Sequence, residues 1–346
     1  MKTEHKIIFG DAKELKELKN ESVDLMITSP PYPMIQMWDE IFGKQNPEIT
    51  KALKEENGER AFELMNKELD KVWREVYRVL KIGGIACINI GDATRSIKGK
   101  FQIYTNHARI LNYCLSLGFH ALPEILWVKE TNKPDKFMGS GMLPVGAYVT
   151  LEHEHILILR KNDKREFNKP EQKDNRQRSA FFWEERNMWF SDRWKDINGV
   201  FQKLNHSKLR ERSGAYPIEL TYRLINMFSI QGDVVLDPFL GTGTTTLGAM
   251  ASGRSSIGYE IDNNFKEFIE DRINEIKNIV DEYVKDRLER HLEFIKKRQE
   301  ENKEIKYVNK NYNFPVVTRQ ETNLYIPKIK EIIKKEKNLF EVEHLF

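Results

Sequence analysis

Short apolar runs and helix-spaced apolar patterns alternate along most of this chain. The runs carry β-branched residues and end at turn-forming residues, which predicts buried strands. The predicted strands are residues 5–11, 23–27, 85–90, 125–129, 155–159, 234–236 and 256–260. Helical spacing predicts helices at residues 13–20, 62–80, 107–117, 221–229, 246–251 and 265–303, with Gly83 and Gly84 ending the second. Strands that alternate with helices are typical of an α/β fold with a mostly parallel sheet.

The second predicted strand runs into the sequence Thr-Ser-Pro-Pro-Tyr, residues 28–32. Consecutive prolines stop a strand, because each fixes φ at about −65° and lacks a backbone N–H. The carbonyls of Ser29 and Pro30 are therefore left without local donors, next to the aromatic ring of Tyr32. This arrangement can receive a flat ring that carries an amine, by stacking and by hydrogen bonding. A plain proline-rich turn is the alternative, and a second motif weighs against it.

A glycine turn follows the sixth predicted strand. Residues 237–245 read Asp-Pro-Phe-Leu-Gly-Thr-Gly-Thr-Thr and lead into a predicted helix. Glycines at 241 and 243 let the backbone approach a ligand closely, and the N–H groups of the helix then point at it. The third glycine of the dinucleotide-binding pattern is absent, because Thr246 stands there. The next predicted strand ends in Glu260, where a carboxylate that binds ribose hydroxyls belongs.

Together, the two motifs resemble those of the S-adenosylmethionine-dependent DNA amino-methyltransferases, which methylate cytosine N4 or adenine N6. The catalytic motif comes first, which is similar to the permuted order of the β class, and the resemblance covers most of residues 5–270. It implies a mostly parallel, seven-stranded, Rossmann-like methyltransferase sheet with an inserted target-recognition region and a helical C-terminal extension. The implied divisions are a catalytic half (1–160), the target-recognition region (161–212), a cofactor-binding half (213–265) and a charged helical extension (266–346).

The resemblance also implies the residues of the site. The catalytic residues are Ser29, Pro30, Pro31 and Tyr32. The residues that bind S-adenosyl-L-methionine are Asp11, Asp237, Phe239, Gly241, Thr242, Gly243, Thr244 and Glu260. Within this set, Asp11 is expected on the adenine amine and Glu260 on the ribose. Methyl transfer by direct displacement needs no metal and no covalent intermediate with the enzyme.

Residues 160–212 break the alternation of strands and helices. The segment is polar and interleaves Arg and Lys with aromatic residues. Cations bind phosphates regardless of sequence, whereas Arg can also read base edges. The candidate DNA contacts in this region are Arg176, Arg178, Arg186, Arg193, Lys208, Arg210 and Arg212. A solvated insertion with a small core of its own is the alternative interpretation.

Several activities stay open at this point. Ser29 favours cytosine N4, because related enzymes with Asp at that position act mostly on adenine, but adenine N6 is the nearest alternative. Methyltransferases for RNA or protein amides usually carry Asn-Pro-Pro-Tyr after the cofactor motif, which differs from this order. A non-catalytic DNA-binding relic is disfavoured because both motifs are intact. Residues 28–39 also resemble the start of archaeal cytosine-N4 methylases that protect the palindrome CTAG.

The bulk composition limits the remaining possibilities. The chain has 346 residues, 40% of them hydrophobic and 32% charged, which is typical of a globular protein. A net charge of only +3 means that double-stranded DNA must be bound by local patches. Two cysteines without metal-ligand spacing indicate a reducing, cytoplasmic setting. We expect no membrane segment, a partner restriction endonuclease acting on the same site, and an oligomeric state that composition leaves open.

Overall fold

The computed structural model describes residues 1–129, 138–198 and 216–345. Its strands are β1 (Lys2–Phe9), β2 (Val23–Thr28), β3 (Leu80–Ile90), β4 (Ala93–Ile97), β5 (Lys100–Tyr104), β6 (Phe119–Val128), β7 (Met138–Gly139), β8 (Ala147–Tyr148), β9 (His153–Lys161), β10 (Arg193–Trp194), β11 (Val234–Asp237), β12 (Ser255–Glu260), β13 (Tyr307–Val308), β14 (Pro315–Val316), β15 (Lys328–Glu336) and β16 (Leu339–Leu345). Ten of them form one sheet in the order β10-β6-β9-β3-β2-β11-β12-β1-β16-β15.

Helices cover both faces of this sheet. They are α1 (Asp39–Gln45), α2 (Pro47–Lys54), α3 (Gly58–Val79), α4 (Asn106–Ser116), α5 (Pro170–Arg178), α6 (Trp183–Trp189), α7 (Ile218–Phe228), α8 (Thr244–Ser252) and α9 (Phe265–Glu300). None of these described helices is both long enough and apolar enough to cross a membrane.

The alternation of side chains along β2 divides the core between the two faces of the sheet. Met26 packs in the cluster that contains Trp73 of α3, whereas Leu25 and Ile27 pack in the cluster that contains Leu224 of α7. Every residue of β2 is buried, as expected for a central strand covered on both faces. Packing on both faces therefore fixes the position of the last residues of β2 at the edge of the sheet.

The mostly parallel α/β sheet predicted from the sequence is confirmed. Strands β1, β12, β11, β2 and β3 run parallel to one another, and β9 lies antiparallel between β3 and β6. These seven strands correspond to the predicted seven. Three further strands lie outside them, because β10 adds to β6 at one edge and the β16–β15 hairpin adds to β1 at the other.

Two local predictions are wrong, and a long-range contact explains each. Residues 13–20 form turns rather than a helix, because the Arg78 guanidinium of α3 binds the carbonyls of Leu15 and Leu18, each at 3.0 Å. Helix α3 ends at Val79, before the glycine pair at 83 and 84. That pair lies inside β3, whose pairing with β2 begins already at Leu80.

The C-terminal extension is only partly helical. Helix α9 is confirmed, but it ends at Glu300, and four strands follow where no strand was predicted. Strand β16 pairs with β1 and buries Phe340 and Val342, two positions apart on one face. The segment is short, and its apolar residues alternate with charged ones. It therefore adopts the strand conformation when it pairs with the edge of the sheet. The extension thus completes the sheet.

The described part of the predicted target-recognition region packs on this extension. Arg287 of α9 donates to both carboxylate oxygens of Glu185 in α6, at 2.6 and 2.7 Å. Phe182 stacks on His291, with ring centroids 4.0 Å apart. Both the Arg287 and the Glu185 side chains are buried. Residues that lie about a hundred positions apart are therefore packed together, and Phe182 belongs to the same hydrophobic cluster as Val280 and Val284 of α9.

Candidate active site

The two sequence motifs meet at the carboxyl edge of the central sheet. Strands β2 and β11 are parallel neighbours, so the turns that follow them leave the sheet side by side. The Thr28 hydroxyl donates to Asp237 Oδ1 at 2.6 Å, which joins the end of one motif strand to the end of the other. Edges of this kind are where open α/β sheets bind ligands.

Asp237 is the residue that holds the two motifs together. Besides Thr28, its carboxylate accepts hydrogen bonds from the Phe239 amide (3.0 Å), the Thr245 hydroxyl (2.6 Å) and the Tyr216 hydroxyl (3.2 Å). It is almost fully buried, and burial raises the pKa of its carboxyl group. Four protein donors use most of the acceptor capacity of a carboxylate. Its predicted contact with the cofactor stays a prediction, while its role in fixing the turn is visible.

The glycine turn has the backbone geometry that the sequence predicts. Gly241 has φ +53° and Gly243 has φ +82°, a region that side chains rarely allow. A Cβ atom on Gly243 would also lie 3.0 Å from Ile269 of α9. The ring of Phe239 packs against Trp73 in an edge-to-face arrangement, with centroids 6.0 Å apart. The turn is thus held from behind by packed residues.

Glu260 and Asp11 end the two strands beside this turn. Glu260 accepts from the Gly241 amide at 2.7 Å and from the Asp262 amide at 2.8 Å, one bond on each oxygen. Burial raises the pKa of Glu260. Asp11 follows β1, which pairs with β12, and its side chain is half-exposed with the Lys13 ammonium 3.7 Å away. The glycine turn, the buried Glu260 and the half-exposed Asp11 thus follow neighbouring strands at one edge of the sheet, and their predicted contacts with the cofactor stay predictions.

Arg272 was missed by the sequence analysis, although it holds the turn. Its Nη1 donates to the Thr242 carbonyl (2.7 Å), the Thr242 hydroxyl (3.0 Å) and the Thr244 hydroxyl (3.1 Å). Burial lowers the pKa of Arg272 to about 10, so the guanidinium stays charged at neutral pH. Because both threonine hydroxyls already bind protein, their predicted contacts with the cofactor stay predictions.

The Thr-Ser-Pro-Pro-Tyr turn places the predicted catalytic residues Ser29, Pro30, Pro31 and Tyr32 directly after β2. The Ser29 hydroxyl lies 3.0 Å from the Tyr32 hydroxyl, which donates to Glu154 Oε2 at 3.0 Å. Burial, followed by the nearby Glu154 carboxylate, raises the pKa of Tyr32. The tyrosine is therefore tethered through its hydroxyl, an interaction that its predicted role as a stacking ring did not include.

Three further residues of this site lie in other strands or directly after one. Asn89 of β3 donates to Glu154 Oε2 at 2.7 Å and to the Tyr32 hydroxyl at 3.0 Å. The Lys129 ammonium forms an ion pair with Glu154 Oε1. Glu154 is the second residue of β9, shortly before a run of apolar residues. An acid beside a buried strand was the signal in the sequence, but only the antiparallel pairing of β3 with β9 turns it toward Tyr32.

Asp92, His107 and His155 form a compact polar cluster on the same edge. Asp92 accepts from the backbone and the ring of His107, at 3.1 and 2.8 Å, and so caps the start of α4. The two imidazole rings are stacked, with centroids 3.9 Å apart and planes only 11° apart. A metal bound by two imidazoles must lie in both ring planes, and nearly parallel planes share no such point nearby. This arrangement is therefore that of a helix cap and a stacked pair.

The candidate DNA contacts fall into two groups. Four are described: Arg176 lies over the Phe167 ring (4.7 Å), Arg186 lies over the Phe190 ring (5.3 Å), Arg178 pairs with Asp174 (3.3 Å), and Arg193 is exposed. Lys208, Arg210 and Arg212 lie outside the described residues. The interleaved aromatic residues Phe182, Trp189 and Trp194 are buried. Phe182 packs in the cluster of α9, Arg287 of α9 lies over the Trp189 ring, and Trp194 packs in the cluster of the central sheet, so they do not form a separate core. Target recognition by this region stays a prediction.

Comparison with known proteins places this site in context. The model of the DNA methylase family of N6/N4 methyltransferases matches residues 23–271. The type II methyltransferase M.MthZI of Methanothermobacter thermautotrophicus is 54% identical over 337 residues, covering 96% of this chain and 94% of the relative. M.MjaI of Methanocaldococcus jannaschii is 52% identical over 283 residues, covering 78% and 91%. A putative DNA modification methylase of Thermus thermophilus, solved with S-adenosyl-L-methionine, is 33% identical with a TM-score of 0.60, covering 79% and 95%.

Proposed function

The chain belongs to the DNA methylase family of N6/N4 methyltransferases, and from this premise we propose that it methylates the N4 amine of cytosine in duplex DNA. At the coarser level it is a site-specific DNA methyltransferase, and S-adenosyl-L-methionine is its cofactor. Because the type II relatives bear names of restriction-modification enzymes, the proposal includes a cognate endonuclease that acts on the same sequence.

The residues of the glycine turn fit this cofactor. Gly241 and Gly243 carry no side chain where the ligand approaches, and Glu260 uses only one lone pair on each oxygen toward the protein. A carboxylate retains acceptor capacity beyond two hydrogen bonds, which suits the two ribose hydroxyls. Asp11, half-exposed at the next strand end, suits the adenine amine. When bound, the cofactor supplies an electrophilic methyl group on a sulfonium.

Ser29 carries the preference for cytosine N4, because related enzymes with Asp at this position act mostly on adenine, and its contacts suit an exocyclic amine. Tyr32 donates its own hydrogen to Glu154, so Ser29 must be the donor in the Ser29–Tyr32 hydrogen bond. The lone pairs of the serine oxygen are then free to accept from a base amine, together with the Pro30 carbonyl. The Tyr32 ring offers a face on which the flipped base stacks. These contacts orient the nitrogen lone pair, so that catalysis comes mainly from positioning.

Labelled S-adenosyl-L-methionine and genomic DNA test this proposal directly. Nucleoside analysis of the product is expected to find label in N4-methylcytosine. Label in N6-methyladenine would reject cytosine and establish the nearest alternative. Ser29→Ala and Tyr32→Ala should each lower the rate of transfer while the Kd for the cofactor stays within about threefold, because both residues contact the base. Ser96→Ala, which changes an exposed serine in the β4–β5 hairpin, is the matched control.

The recognition sequence is proposed to be CTAG, on the basis of the resemblance of residues 28–39. Discrimination is assigned to residues 161–212, where one well-placed bidentate Arg contributes roughly 1–3 kcal/mol per base pair. Sequencing of single DNA molecules exposed to the enzyme should show modified cytosine confined to CTAG. Modification in another fixed context would reject CTAG and leave the family membership untouched.

A further inference from the structure

Methyl transfer to an exocyclic amine creates a proton that the site must remove. The base nitrogen forms a bond to the methyl carbon while the carbon–sulfur bond breaks, and the electron pair of that bond stays on sulfur. The nitrogen is then a cation and must lose one N–H proton. A serine hydroxyl and a proline carbonyl can accept hydrogen bonds, but neither can hold a proton at neutral pH. The Ser29 site therefore needs an acceptor further away.

The Glu154 carboxylate lies at the end of a continuous hydrogen-bond chain that begins at Ser29. Ser29 Oγ is 3.0 Å from Tyr32 Oη, and Tyr32 Oη is 3.0 Å from Glu154 Oε2. The chain has one direction, because Tyr32 donates to Glu154 and Ser29 donates to Tyr32. This direction leads from the position of the base amine toward a buried carboxylate.

Neighbouring residues hold this chain in place. Asn89 donates to both Tyr32 Oη and Glu154 Oε2, which fixes the distance between the two acceptors. A Cβ atom on Gly91 would lie 3.0 Å from the Tyr32 ring and 3.3 Å from Glu154 Cγ. Because glycine has no Cβ, both residues can pack against its backbone. Lys129 pairs with the other carboxylate oxygen and leaves Oε2 directed at the tyrosine. Contacts with Tyr32, Asn89, Lys129 and Gly91 therefore hold the Glu154 side chain in a pre-organised position.

We propose that Glu154 accepts the proton released by methyl transfer, through Ser29 and Tyr32. The amine proton passes to Ser29 Oγ, the serine proton passes to Tyr32 Oη, and the tyrosine proton passes to Glu154. One carboxylate becomes a carboxylic acid, and the two hydroxyl groups end as they began. The acid later loses its proton to water. The inference rests on the proposed function only in that an exocyclic amine is the acceptor, and it holds for cytosine and adenine alike.

The test compares Glu154→Gln, Tyr32→Phe and the double variant in single-turnover methyl transfer to duplex DNA. Glutamine keeps an acceptor toward Tyr32 but cannot take up a proton, and phenylalanine keeps the ring but interrupts the chain. Proton transfer by a positioned group typically contributes 10²–10⁴-fold, so each single variant should be slower by about 10²-fold or more. The double variant should be no more than about threefold slower than the slower single one, because both changes remove one relay.

Two controls separate proton transfer from structural support. Lys129→Met/Glu154→Gln removes the partly buried ion pair as a unit, so recovery of the wild-type rate would show that charge balance alone matters and would overturn the relay. Glu124→Gln changes an acid of the same sheet edge that pairs with His155 at 3.5 Å, and should leave the rate within about twofold. The Kd for S-adenosyl-L-methionine should stay within about threefold in every variant.

The outcomes also separate this inference from the proposed function. Wild-type enzyme that transfers no label to any duplex would overturn both. An active wild type with Glu154→Gln equally fast, or a double variant that multiplies the two single losses, would overturn the relay alone. If Glu154→Gln does not fold, Tyr32→Phe decides, because it leaves the Glu154–Lys129 pair intact. A Tyr32→Phe rate within about threefold of wild type would then refute the proposal.

Discussion

Replacing Glu260 with glutamine should weaken cofactor binding without unfolding the chain. The carboxylate accepts one backbone N–H on each oxygen, from Gly241 at 2.7 Å and from Asp262 at 2.8 Å. Glutamine has a single acceptor oxygen, so one of these amides loses its partner and faces an NH₂ group instead. A hydrogen bond to a charged group is worth about 1.5–3 kcal/mol. If the glycine turn must be ordered to bind, the Kd should rise by about 10- to 100-fold.

Calorimetric titration with S-adenosyl-L-methionine measures this change, and a thermal melt verifies that the variant is folded. Asp271→Asn, an exposed acid on α9, is the matched control and should bind normally. Burial raises the pKa of Glu260, so the wild type should lose affinity as pH falls through that raised value, since the protonated acid resembles glutamine. The glutamine variant should lack this pH dependence. A folded Glu260→Gln variant with a Kd within about threefold of wild type would refute the assignment of this pocket.

Two predictions concern the C-terminal extension. His5 and His344 both bond to the Thr3 hydroxyl at 2.9 Å, and burial lowers their pKa values to about 3 and about 4. Both are neutral when folded and bind protons when unfolded, so stability is fully present above about pH 6.5 and falls below it. Urea unfolding should show a loss of about 2 kcal/mol per histidine between about pH 7 and pH 5, absent from a His5→Asn/His344→Asn variant. Arg287→Met should lower the free energy of unfolding by about 3–5 kcal/mol, because it leaves the buried Glu185 carboxylate without its positively charged partner. Adding Glu185→Leu should restore most of that loss. Equal stability of the single and double variants would contradict this account.

Much of the fold was determined by local pattern alone. Apolar runs predict the seven central strands, because strands inside a parallel sheet are buried on both faces. Helical spacing of apolar residues predicts most of the helices between them. The two motifs are also local, since prolines after β2 and glycines after β11 restrict the backbone within a few residues. Family, cofactor and the likeness of Ser29 to a catalytic serine could therefore be argued without coordinates.

Only the tertiary structure decided which side chains meet. Glu154 reaches Tyr32, and Lys129 reaches Glu154, because β9 runs antiparallel between β3 and β6, and a strand register cannot be obtained from a single sequence. The sequence predicts Asp237 as a cofactor-binding residue. In the structure its carboxylate accepts hydrogen bonds from four protein donors, which range from Thr28, 209 residues earlier, to Thr245, eight residues later, and it thereby holds the two motifs together. Residues after Glu300 carry too short a pattern to predict strands until β1 offers an edge. Pairing across the sheet, rather than periodicity along it, creates these contacts.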